Sequence, residues 1–177
     1  WTITNFANEF SKKGNCLDVQ YYKRFKELSD KLQEVDLSKL PHSFVHGDII
    51  SSNVIKDNNN KLWIIDFAVS NYLPRIIDLV VTGVNLCLDP NSRENTIKNF
   101  KLIIIEYEKY NKLADYEKQI IPLFYDLGNA MGILQINHLK QNNDYSDEDE
   151  YWLKVSEEGL NFSNKEFWNE VFENDIE

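Results

Sequence analysis

His46-Gly47-Asp48, Asn53 and Asp66 are the residues whose types and spacing allow chemistry. Two short apolar runs, Ser43-Phe44-Val45 and Leu62-Trp63-Ile64-Ile65, each lead into one of the acidic residues. The polar stretch between them carries Ser51, Ser52 and Asn53. Read as strands and a loop, these segments place a carboxylate, an amide oxygen and a second carboxylate at neighbouring strand ends. Phosphoryl transfer from a Mg²⁺-nucleotide needs that set: one carboxylate orients a hydroxyl, and two oxygen ligands hold the ion on the phosphates.

The elements that must position them follow from periodicity and punctuation. Trp1 to Asn15 reads as a short helix stopped by Gly14-Asn15. Leu17, Tyr21, Phe25, Leu28, Leu32 and Val35 recur at helical steps, with Lys and Glu on the other face. Strands are expected near Ser43–His46, Val54–Lys56 and Lys61–Asp66, the last two forming a hairpin. Its turn is Asp57-Asn58-Asn59-Asn60, since Asn tolerates left-handed geometry. Everything after Pro74 reads as helical: Pro74 opens an apolar helix to Leu88, and Ser92 with Asn95 opens another. A long helix spans about Asp115 to Lys140, with Gly128 and Gly132 permitting close approach. Asp147-Glu148-Asp149-Glu150 suits a helix N-terminus, where carboxylates meet the positive end of the dipole. A final short helix carries Phe167, Trp168, Val171 and Phe172. The reading is α+β, mostly helical, with residues 1–177 as one domain.

Composition narrows the partners. At 177 residues, 42% hydrophobic and 27% charged, the chain has the makings of a globular core. A formal net charge of −10 disfavours nucleic acid and anionic membrane surfaces. The run from Ile76 to Leu88 is too short to span a bilayer and is interrupted by Asp78 and Asn85. Cys16 and Cys87 form no metal spacing and no disulfide framework, and two free thiols suit a reducing cytoplasm.

The motif set resembles the catalytic region of the aminoglycoside phosphotransferase and choline kinase superfamily, which shares its architecture with protein kinases. The resemblance rests on His46-Gly47-Asp48, Asn53, Ile65-Asp66-Phe67 and Arg75-Ile76-Ile77-Asp78-Leu79, in that order and at family spacing. Specific motifs lie between Val45 and Leu79; the layout extends over essentially the whole chain.

The resemblance implies a role for each matching residue. Asp48 orients the acceptor hydroxyl and takes its proton; read alone, it is an Asp capping a turn. Asn53 and Asp66 supply oxygens to Mg²⁺, although an Asx turn accounts for Asn53 equally well if its distance from Asp48 is ignored. His46 and Gly47 support the loop, the glycine through its backbone freedom. Asp78 is expected to be buried beside the loop, accepting hydrogen bonds from its amides, a role compatible with a helix-dipole position. His42 and His138 are assigned nothing.

The chain also departs from the pattern. Ala68 stands where protein kinases carry glycine, and Ile50 where serine/threonine kinases carry lysine, which argues against a protein substrate. With 6 glycines in all, there is no glycine-rich phosphate loop, nor a strand lysine with a helix glutamate to pair with it. The resemblance therefore implies the C-terminal lobe of a protein-kinase-like fold, with the nucleotide lobe expected upstream of Trp1. Alone it should turn over little. The expected reaction moves the γ-phosphoryl of ATP or GTP to a hydroxyl of a small molecule, an aminoglycoside or another amine-bearing acceptor. Asp89, Asp147, Glu148, Glu150, Tyr151 and Trp152 are places where an amine could pair with acid and aromatic groups, although for any single one a solvated acidic helix start or a core aromatic is the favoured reading. A non-catalytic kinase-like binding module is the main competitor. A two-metal phosphohydrolase using Asp48 and Asp66 lacks further clustered ligands.

Overall fold

The computed structural model describes residues 2–173. Among the described residues there are seven α-helices, one of them central, and two two-stranded antiparallel sheets. α1 (Phe6–Lys13) buries Phe6 and Phe10, and Phe6 meets Phe25 of α2 (Val19–Glu34) edge-on at 5.9 Å. Asp18 caps α2 by accepting the Tyr21 N–H at 2.8 Å, so Leu17 lies ahead of the helix. The expected stop after α1 takes another form. Gly14 has an ordinary φ of −60° and begins a 3₁₀ turn, Gly14–Cys16.

The sheets carry the site. β1 (His42–Val45) pairs with β4 (Asn71–Pro74), matching His42 with Pro74 and Val45 with Asn71. β2 (Val54–Lys56) pairs with β3 (Leu62–Ile64) as the expected hairpin. Its turn is fixed by Asp57, whose Oδ1 accepts the N–H groups of Asn59 and Lys61, and Asn60 takes the left-handed position at φ 62°. β4 was not expected, and Pro74 ends this strand instead of opening a helix. In a two-stranded sheet a proline can take an outer ladder position without losing a needed donor. The next residue closes the sheet, Arg75 N–H donating to the Pro41 carbonyl at 2.9 Å.

α3 (Ile76–Thr82) is apolar nearly all round, and Gly83–Cys87 continues it as a π-helical turn. α4 (Arg93–Glu108) is capped by Ser92. α5 (Asp115–Gln141) runs through Pro122 and is the core of the molecule, contacting α1, α2, α3 and α6 (Asp147–Phe162). A Cβ on Gly132 would lie 2.6 Å from Ser156 Oγ of α6, so a larger residue there would require the serine hydroxyl to move. α7 (Lys165–Phe172) packs on α4 and places Trp168 against Phe100 and Tyr125.

Candidate phosphotransfer site

The loop after β1 is held from below by a helix and from the side by a ring. Asp78, in the first turn of α3, accepts the His46 N–H at 2.9 Å on Oδ2 and the Gly47 N–H at 2.7 Å on Oδ1. A carboxylate receiving two amides holds both by charge-assisted bonds. It is half-buried, less enclosed than the sequence reading expects. Gly47 has φ 79°, a conformation that a side chain strains; its space is open enough, with the nearest atom to an added Cβ at 3.5 Å. Backbone conformation, not crowding, demands glycine here.

His46 is buried and both ring nitrogens are engaged. Asp48 N–H donates to Nδ1 at 3.2 Å, and Nε2 lies 2.9 Å from the Ile65 carbonyl. An amide can only donate and a carbonyl only accept, so the ring is the Nε2–H tautomer. Phe67 packs edge-on to it at 4.5 Å. The ring thereby ties the Asp48 loop to the residue preceding Asp66.

Asn53 makes the decisive contact with Asp48. Its Nδ2 donates to both the main-chain oxygen and Oδ2 of Asp48, each at 3.0 Å. Two acceptors on one side fix the amide orientation, because a flip would set oxygen against oxygen. The Asn53 oxygen is therefore directed away from Asp48, and no hydrogen bond engages it among the described residues. The Asn53 carbonyl accepts the Ile65 N–H at 3.0 Å, extending the hairpin ladder up to Asp66.

Asp66 is exposed and has φ 63°, unusual for a residue with a side chain although Asp tolerates it better than most. Its Oδ1 accepts the Ala68 N–H at 3.2 Å, closing a local turn and leaving Oδ2 unengaged. Such a backbone persists only where its neighbours fix it, as Ile65 is fixed through Asn53 and His46.

Residues 9–113 match the family model APH, the phosphotransferase enzyme family. The chain belongs to that family, within the aminoglycoside phosphotransferase and protein-kinase-like superfamily. The matched span carries every residue of the loop and hairpin just described and ends before α5. Among curated proteins none matches the chain significantly. Enzymes of this family generally use ATP and Mg²⁺. Among the described residues no group of three or more His, Cys, Asp and Glu side chains is placed to hold a metal. What the chain does offer is the free oxygen of Asn53 and the unengaged Oδ2 of Asp66. Hard oxygen donors in small number fit Mg²⁺, which keeps several waters and takes phosphate oxygens.

The acidic and aromatic positions expected to receive an acceptor separate in space. Asp89 is engaged by its own loop, Oδ1 accepting the Asn91 N–H and Oδ2 the Asn95 amide, each at 2.9 Å; these bonds hold its carboxyl below the usual range. Asp147, Glu148 and Glu150 are exposed in the first turn of α6, and Tyr151 is exposed beside Trp152. Trp152 lines a cavity between α3, α5 and α6.

Sequence reasoning missed two groups. Asp149 lines that cavity with Trp152 and Ser156; their spacing, three and then four residues, is a helical face and was the available signal. Arg75 and the fully buried Glu117 form a two-pronged ion pair, Nε to Oε1 at 2.8 Å and Nη2 to Oε2 at 2.7 Å. It joins the start of α3, which carries Asp78, to the start of α5. The two residues are 42 apart, and no local pattern announces the pair. Among the described residues no helix is long and apolar enough to cross a membrane.

Proposed function

We propose that this chain is the acceptor- and metal-handling lobe of a small-molecule kinase that moves the γ-phosphoryl of ATP or GTP to an alcohol. The observation that carries the reading is the Asn53 amide, whose nitrogen fixes the Asp48 carboxylate while its oxygen faces away. One side chain thus orients the proposed proton acceptor and presents a ligand for the ion.

In this reading the acceptor hydroxyl approaches Asp48 Oδ1, the oxygen that Asn53 leaves unengaged. The acceptor oxygen bonds to the γ-phosphorus, and the β–γ bridging oxygen leaves with its electron pair on the nucleoside diphosphate. The hydroxyl proton passes to Asp48. Asp78 and His46 keep the loop still, so that positioning supplies most of the acceleration. Asn53 Oδ1 and Asp66 Oδ2 would hold Mg²⁺, which when bound would neutralise charge on the transferring phosphates.

The grip on the nucleotide comes, in this reading, from a further lobe that covers the hairpin. Its support is the apolar surface there: Leu62, Trp63, Ile64, Ile65 and Phe67 are all exposed, Leu62 at 63%. Consecutive strand residues point to opposite faces, so both faces of the hairpin are bare. Apolar exposure this continuous marks an interaction surface.

The test is phosphoryl transfer by the complete polypeptide across a panel of hydroxylated amines, with Asp48→Asn as the variant. Loss of roughly 10²–10⁴ in kcat with KM for ATP little changed supports Asp48 as the proton acceptor. Unaltered turnover in Asp48→Asn contradicts it.

A further inference from the structure

We propose that the half-open cavity between α3, α5 and α6 is a binding site for a compact, mostly apolar molecule bearing a single ammonium group. The cavity measures about 270 Å³. That is just below the range of about 300–1,000 Å³ usual for drug-sized ligands, so its occupant is smaller.

Val81, Val84, Ile136 and Leu139 form its apolar lining, and Trp152 lines it from α6. The polar groups in the lining are Asn85, Gln135, Asp149 and Ser156. Asp149 is the one formal charge in the lining, and no Lys or Arg lies there among the described residues. Its Oδ2 takes the Ser146 N–H at 2.9 Å and the Ser146 hydroxyl, which holds its carboxyl below the usual range; Oδ1 remains unengaged. Asn85 donates Nδ2 to the Val81 carbonyl at 2.8 Å, leaving its oxygen as an acceptor. Asn85 sits in the π-helical turn Gly83–Cys87, and single π turns recur where a helix has been reshaped for a ligand.

These features select by chemistry. An ammonium finds a carboxylate, an amide oxygen and the Trp152 indole, and a cation–π contact there is worth most when the cation is desolvated. An anion faces the Asp149 carboxylate and meets no cationic side chain in the lining. A polyhydroxylated, polycationic molecule would leave most of its polar groups against aliphatic side chains without hydrogen bonds. A phenyl or short alkyl body with one amine matches the lining.

The site is tested on the whole chain labelled with 5-fluorotryptophan, the Trp152 resonance being assigned by its loss in Trp152→Phe. Benzylamine, benzyl alcohol and benzoate are titrated in turn without nucleotide. Benzylamine should shift the Trp152 resonance saturably and leave Trp63 and Trp168 in place, with benzyl alcohol weaker and benzoate inert. Asp149→Asn should weaken benzylamine by roughly fivefold, towards the alcohol. Asn85→Phe, which fills the cavity from a half-exposed position, should abolish both responses in a chain whose other tryptophan resonances stay dispersed. A Trp152 resonance that benzylamine leaves unmoved overturns the proposal, as does benzoate acting as strongly as benzylamine. With no nucleotide present, neither result bears on phosphoryl transfer, so the two readings fail separately.

Discussion

From Ile121 to Ile136 the central helix α5 is enclosed by four other helices, whereas β3 keeps Leu62, Trp63 and Ile64 in solvent. Both regions are rich in large apolar side chains. What differs is where the partners are. α5 finds them within the chain: Phe124, Tyr125, Leu127, Ala130 and Met131 are fully buried, and Tyr125 meets Phe100, Phe167 and Trp168 ring to ring. The hairpin is held by local bonds instead: the Asp57 turn, the contact of Trp63 Nε1 with Asp57 Oδ2 at 3.0 Å, and the Ile65 and His46 links. Stability therefore resides in the helices, and the hairpin leaves its large apolar side chains in solvent. The loop with Asp48 lies on the seam, held by Asp78 from the helical side and by Ile65 from the hairpin side.

The sharpest way to break this contrast is to truncate one aromatic in each region. Phe124→Ala should lower unfolding free energy by about 3–5 kcal/mol, as large core truncations do. Trp63→Ala should change it by less than about 1 kcal/mol, in keeping with an exposed site. Equal losses in urea denaturation would mean that the hairpin belongs to the cooperative core.

A smaller effect comes from within α5 itself. Burial pushes the Asp126 carboxyl up to about 6, against the opposing pull of Ser163, Arg24 and Lys31, and Asp126 Oδ1 has no hydrogen-bond partner. In the unfolded chain this group titrates near 3.9. The folded chain therefore binds the proton more tightly, and stability falls as pH rises from about 4 through 6. Asp126→Asn should raise stability by roughly 1–3 kcal/mol at pH 7.5 and by almost nothing at pH 4. An effect equal at both pH values would show that the carboxylate is well solvated.

Most telling for the loop is Gly47→Ala. Forcing a side chain into the left-handed region at φ 79° should destabilise by about 1–2 kcal/mol. Amide exchange should report the change at His46 to Asp48, with α5 unaffected. A change spread through α5 would couple the two regions more tightly than their packing implies.

What the residues announced beforehand follows the same division. The buried face of α2, with Phe25, Leu28 and Leu32, is a local pattern and was legible. So was the β2–β3 hairpin, because Asp57 and Asn60 encode their turn in adjacent residues. β4 was not, since its pairing to β1 joins distant residues, from Val45 with Asn71 to His42 with Pro74, and Pro74 carried a competing helical signal. The π-helical turn after Thr82 was equally hidden, its apolar sequence fitting an unbroken helix. In the site, the order of Asp48, Asn53 and Asp66 could be read from spacing, but the orientation of the Asn53 amide could not. It depends on where the Asp48 backbone and carboxylate come to rest, and only the fold decides that. The choice of Asp149 over Asp147, Glu148 and Glu150 as the acidic group beside Trp152 is a matter of helical phase, overlooked in a run where every residue is acidic.

We propose that Asn53 and Asp66 present their free oxygens to one ion beside Asp48. Replacing Mg²⁺ with paramagnetic Mn²⁺ in the presence of excess ATP tests it directly, by amide resonance broadening in the ¹⁵N-labelled chain. The account predicts strongest broadening at Asp48, Asn53, Asp66 and Ala68, abolished in Asp66→Asn and with α6 unaffected. Broadening centred on the acidic start of α6, with the residues around Asn53 and Asp66 left sharp, would contradict it.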